Sequence, residues 1–162
     1  NGDPLSYTVS AQREGETAWR ILGSALRETV FAWNTSRTPD GAYRIRVTAS
    51  DAATNAPGSQ LIGERDSPIF DIDNAAHTIT VGTVRQTATA LILPFTVRDA
   101  QSPIQLVEVS QGNGAWRVVY PVDGIPDGLV EDFEVPIDSP REGVTLIRAT
   151  DALTNTVTVS GQ

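Results

Sequence analysis

Along much of this chain apolar and polar residues alternate with a period of two, the spacing of a strand that turns one face to a core and the other to water. The run Tyr43-Arg44-Ile45-Arg46-Val47-Thr48-Ala49-Ser50 puts Tyr, Ile, Val and Ala on one side. A second run sets Leu91, Leu93, Phe95 and Val97 against Ile92, Pro94 and Thr96. Pro94 there implies an edge strand or a bulge, because proline has no amide hydrogen to give a ladder. Helical spacing is scarce: the best candidate, residues 23–30, is short and runs into the β-rich Val30-Phe31-Ala32-Trp33. Turn-forming pairs such as Glu14-Gly15, Asp40-Gly41, Gly112-Asn113, Asp123-Gly124 and Glu142-Gly143 break the runs at short intervals. Short strands with frequent Gly, Pro and Asp turns predict an all-β chain of sandwich or barrel type.

The two halves repeat one another in order. Tyr7-Thr8-Val9-Ser10 corresponds to Val107-Glu108-Val109-Ser110, and Ala18-Trp19-Arg20-Ile21-Leu22 to Ala115-Trp116-Arg117-Val118-Val119. Phe31-Ala32-Trp33 corresponds to Phe133-Glu134-Val135, Asp40-Gly41 to Glu142-Gly143, and Asp51-Ala52-Ala53-Thr54-Asn55 to Asp151-Ala152-Leu153-Thr154-Asn155. One such match arises by chance; five in register mark an internal repeat. Two modules follow, at 1–73 and 74–162. The second predicts seven strands, near 77–84, 89–97, 104–110, 115–120, 129–137, 144–150 and 155–160, enough for a whole sandwich. The first predicts about five, near 5–11, 17–22, 28–33, 42–50 and 59–72 with interruptions. Val107 has 33 residues of its module before it and Tyr7 only six. The first module is therefore expected to lack its first two strands, which would lie upstream in a parent protein or be replaced by a dimer partner or strand complementation. A chain that begins at Asn1 and holds no Met agrees with that expectation.

The pattern Asp40-Gly41-x-Tyr43-x-Ile45-x-Val47-x-Ala49-x-Asp51, followed by a turn and Asn55, resembles the penultimate strand and last loop of bacterial fibronectin type III and related Ig-like modules. Ile147-Arg148-Ala149-Thr150-Asp151 with Asn155 resembles it too. The resemblance implies two tandem antiparallel β-sandwich domains of a larger secreted or cell-surface bacterial protein. Such modules act as spacers, docking platforms or adhesive surfaces. The Arg-Gly-Asp tripeptide of some animal members is absent.

Composition narrows the chemistry. Hydrophobic residues make up 40% of the 162 and charged residues 20%, as in globular domains. The net charge of −8 and scattered arginines argue against nucleic acid as a partner. No apolar run reaches the roughly 18 residues of a membrane-spanning helix. Without cysteine there is no thiolate zinc site and no thiol nucleophile. His77, the one imidazole, stands beside no Ser motif and reads as a surface or packing residue. Acidic density peaks at Asp123, Asp127, Glu131, Asp132, Glu134 and Asp138, a solvated loop and outward strand face, or else the paired carboxylates of a glycoside hydrolase fragment.

Two binding readings remain beside the non-catalytic structural one. Trp19 and Trp116, expected to pack on a core or sheet, could instead offer a stacking surface for a glycan or protein, with Asp123 and Asp127 in the long 121–129 loop. Calcium could stiffen the junction through Asp66, Asp71, Asp73 and Asn74, with Asp99 from a neighbouring loop, since hard oxygen ligands suit an acidic, cysteine-free protein. Partners are accordingly other domains of the parent chain, or a protein or glycan ligand, at an extracellular or cell-envelope location.

Overall fold

In the computed structural model, residues 4–112, 114–138 and 143–161 are described; Asn113 and Glu142, assigned above to turns, lie outside the described residues. The described residues form strands and no helix, so residues 23–30 take no helical turn. All sheets are antiparallel, and the chain divides into two compact units, Asn1–Ile72 and Asp73–Gln162.

The first unit contains β1 (Ser6–Arg13), β2 (Arg20–Leu26), β3 (Gly41–Ser50), β4 (Ile62–Asp66) and β5 (Phe70–Ile72). They make a single sheet in the order β2-β1-β3-β4, with β5 also paired to β3. The expected strand at 28–33 does not form: those residues run without a ladder partner. The expected 59–72 segment divides at Ser67, whose hydroxyl accepts the Ile45 amide at 3.0 Å while its own amide reaches the Ile45 carbonyl. Alternation on β1 and β3 coincides in space because Tyr7 pairs with Ala49, Val9 with Val47 and Ala11 with Ile45. One face of the sheet is thus apolar. The other carries Ser10, Arg46, Thr48 and, from β4, Glu64 and Asp66.

The second unit contains β6 (Thr78–Val81), β7 (Arg85–Gln86), β8 (Leu91–Arg98), β9 (Ile104–Gln111), β10 (Arg117–Val119), β11 (Val130–Ile137), β12 (Thr145–Asp151) and β13 (Thr156–Gly161). One sheet runs β10-β9-β12-β13 and the other β11-β8-β6, with β7 also on β8. Inward residues of both sheets join in one core, from Leu93, Phe95 and Val97 on β8 to Val107, Val109, Phe133, Ile147 and Ala149. Phe95 and Phe133, directly opposed across β8 and β11, stack with centroids 4.8 Å apart. Gly161 lies so close to Leu93 and Ile147 that a Cβ there would stand 3.1 and 3.2 Å from their side chains, which shows β8 and β12 meeting across the interior.

Pro94 is no edge residue: β8 lies between β11 and β6. It is accommodated where the expected strand at 77–84 breaks into β6 and β7. The Pro94 carbonyl accepts the Gly82 amide at 2.8 Å, so its nitrogen points to the same side, where the ladder is interrupted.

Four strands of the first unit's sheet correspond to the sheet β10-β9-β12-β13: β1 to β9, β2 to β10, β3 to β12 and β4 to β13. The register of the central pair is also the same, since Val9↔Val47 and Tyr7↔Ala49 become Val109↔Ile147 and Val107↔Ala149. The repeated Asp-x-x-x-Asn opens the turn after β3 and after β12, but the closing partner differs: the Asp151 amide donates to the Asn155 carbonyl, whereas the Asp51 amide donates to the Leu61 carbonyl across a longer loop. Asp51 and Asp151 are buried, and each accepts the amide of Thr54 or Thr154 on its carbonyl. Asp151 Oδ1 also accepts the amides of Leu153 and Asn155, and its Oδ2 accepts the Asn155 side-chain amide. Thr154 takes a left-handed φ of 73°, a conformation this tightly bonded turn imposes.

Candidate functional site

The sharpest difference between the repeats is what covers the apolar face of the shared sheet. In the second unit Ile147 is fully buried beneath β8, whereas its counterpart Val47 is 37% exposed. The first unit's face is closed only at one end. There Trp33 meets Tyr43 edge-on at 6.0 Å, and the Tyr43 hydroxyl donates to the Pro39 carbonyl at 2.7 Å. Phe31 lies over Gly23, its ring 2.9 Å from where a Cβ would stand. Toward the other end a groove of about 360 Å³ runs between Tyr7, Val9, Leu22, Leu26, Phe31, Ile45 and Val47, with Glu28 and Thr29 on its lining. A second groove, about 580 Å³, continues from Ile45 and Val47 past Ala49 to Gly63 and Arg65. Together they make one largely apolar strip, with Glu28, Thr29, Glu64, Arg65, Asp66 and Ser67 also on its lining.

On the outer face of each sheet a tryptophan is roofed by an arginine. Arg46 stands 4.2 Å over the Trp19 ring and Arg148 the same distance over Trp116. Arg46 is held by Asp66 through Nε at 2.7 Å and Nη2 at 2.9 Å, and Arg148 by Glu108 at 2.8–2.9 Å. That hydrogen bond holds the Asp66 carboxyl below the usual carboxylate range and raises the Arg46 guanidinium. Trp19 and Trp116 are therefore half-buried on a polar face with a ring face occupied, outside both apolar interiors.

Asp123 and Asp127 sit in the exposed loop between β10 and β11. Asp123 Oδ1 accepts the Ile125 amide at 3.2 Å, while the amides of Asp127 and Gly128 donate to Glu131 Oε1. Loop and strand geometry engages these groups, and the acidic residues of β11 divide between its faces: Glu131 is buried, Asp132 and Glu134 exposed. Thr96 donates to Asp132 at 2.6 Å and Arg85 pairs with Glu134.

The residues named for calcium fall into different surroundings. Asp66 is engaged by Arg46 on β4, and Asp71 is an exposed residue of β5 opposite Ala42. Asp73 belongs to the second unit, where its Oδ1 accepts the Ala75 amide and its carbonyl the Asn155 side chain; Asn74 beside it is exposed. Asp99 instead joins His77 and Asp151 in a fully interior cluster whose donor atoms lie within 4.8 Å of one another. Asp99 Oδ1 accepts the amides of Gln101 and Ser102, both at 2.7 Å, and His77 Nε2 donates to the Ala149 carbonyl at 3.0 Å. An imidazole with two carboxylates is the donor type of a transition-metal site more than of calcium, which prefers six to eight oxygens. Sequence reasoning missed His77 here because its partners lie 22 and 74 residues away and meet it only through the packing of two sheets.

No protein-family model matches this chain, and no curated protein does.

Proposed function

We propose that this chain is a non-catalytic structural and interaction module, a spacer or docking platform within a larger extracellular or cell-envelope protein. Its two units read as tandem domains of fibronectin type III or Ig-like kind, the first incomplete. The observation that carries the reading is the uncovered apolar strip beside Val47, on a sheet whose repeat partner is fully enclosed. An apolar surface of this kind, rimmed by polar residues, is where a protein partner gains most from excluding water. The matched sheet orders and registers support descent of both units from one module.

The test is binding of the immobilised full chain to cell-envelope proteins, compared with Val47→Arg on the apolar strip and Thr48→Arg on the opposite face. Loss of binding with the first variant alone is the expected result. Equal binding by both variants, or turnover of glycoside substrates that Asp132→Asn abolishes, would overturn it.

A further inference from the structure

The second unit shows what belongs on the first unit's open face. Its sheet β10-β9-β12-β13 has the strand order of β2-β1-β3-β4 and, between β9 and β12, the register of β1 and β3, and its apolar side is closed by β6, β8 and β11. Of those three, the first unit has a counterpart of β11 alone, the segment around Phe31-Ala32-Trp33. That segment lies against the sheet, with Phe31 over Gly23 and Trp33 against Tyr43, but it is not a strand. The reason lies in the pairing. β11 takes its whole ladder, from Val130↔Arg98 to Ile137↔Leu91, from β8. Among the described residues of the first unit no strand pairs with 28–33 as β8 pairs with β11, so these residues have β-forming side chains and no ladder partner.

From this mismatch we infer that the open face of the first unit is a strand-acceptor site. Its occupant is a two-stranded antiparallel segment of polypeptide from outside these 162 residues, alternating apolar and polar residues as β6 and β8 do. One strand pairs along residues 28–33 and converts them to a strand; its inward side chains cover Val47 and Ile45 as Leu93 covers Ile147. Backbone pairing supplies register and the apolar strip supplies the driving force, the combination by which sheets accept foreign strands. The inference deepens the docking role proposed above and rests on it.

The second unit's own cover provides the probe. A peptide copying residues 76–99 is added to the full chain, and the same segment is joined ahead of Leu5 through a flexible linker in a second version. Amide hydrogen exchange is followed at residues 28–33 and at Val47, and sedimentation reports the oligomeric state. The expected result is at least a tenfold gain in protection at 28–33 in the joined version, with a smaller, saturable gain for the free peptide. Val47→Arg removes both gains. Unchanged exchange at 28–33 in the joined version overturns the strand-acceptor site. So does a dimer of the free chain that buries Val47 and that the joined segment does not dissociate. If exchange stays unchanged while Val47→Arg still abolishes envelope binding, docking stands and strand pairing fails; if Val47→Arg has no effect on either, both fail.

Discussion

Val47 and Ile147 occupy one register position in two copies of one sheet, so truncating each to alanine reads the cover over that position directly. Ile147 is fully enclosed, and removing three carbons forfeits about 0.8 kcal/mol apiece plus a cavity contribution, in all about 3–4 kcal/mol. Val47→Ala removes two carbons from a side chain 37% exposed, on a face where no closed cavity forms, which gives about 1 kcal/mol. For units of this size about 1 kcal/mol moves a midpoint by roughly 4–8 °C. Ile147→Ala should therefore lower the second unit's melting by well over 10 °C, and Val47→Ala should lower the first unit's by only a few degrees. Urea titration followed by NMR at amides of each unit separates the two transitions. A loss of 3 kcal/mol or more from Val47→Ala would refute the reasoning, because only an enclosed residue responds so strongly.

Three other outcomes follow from the hydrogen bonds and ion pairs. Asp151→Ala removes a fully buried side chain that accepts two amides and the Asn155 side chain, and should destabilise the second unit by about 2–3 kcal/mol by denaturant titration. The Asp66 carboxyl, lowered by its bond to Arg46, lends stability that is fully present above its unfolded value near pH 4 and is lost as pH falls through the lower folded value. Asp66→Asn should thus flatten the acid limb of the first unit's stability profile and weaken its dependence on salt; an unchanged limb would count against the pairing. Trp116→Ala should cost about 1 kcal/mol from the lost contact with Arg148, seen in thermal melts, and leave binding on a glycan array unchanged.

Much of the architecture was legible along the chain because period-two patterning and turn residues act locally. Alternation at Tyr43–Ser50 and Leu91–Val97, and the repeated Asp-x-x-x-Asn turn, became strands and turns near their expected places. The failures share a cause: a strand needs a partner as well as a suitable pattern. Phe31-Ala32-Trp33 has the composition of its repeat Phe133-Glu134-Val135, yet only the latter has β8 beside it. Pro94 pointed to an edge strand or a bulge; it is not at an edge, and a break in the neighbouring strand admits it to the middle of a sheet.

The sequence by itself determined the all-β character, the internal repeat and the apolar faces of the alternating runs at 43–50 and 91–97, since these follow from spacing that one chain carries within a few residues. It also placed Trp19 and Trp116 at equivalent positions. Only the tertiary structure decided that both rings lie under arginines on the polar face, that His77 meets Asp99 and Asp151 in the interior, and that Val47 is left uncovered where Ile147 is enclosed. Each of these depends on which strands lie across the sheet from one another, and sheet neighbours are chosen by long-range pairing that no local pattern encodes.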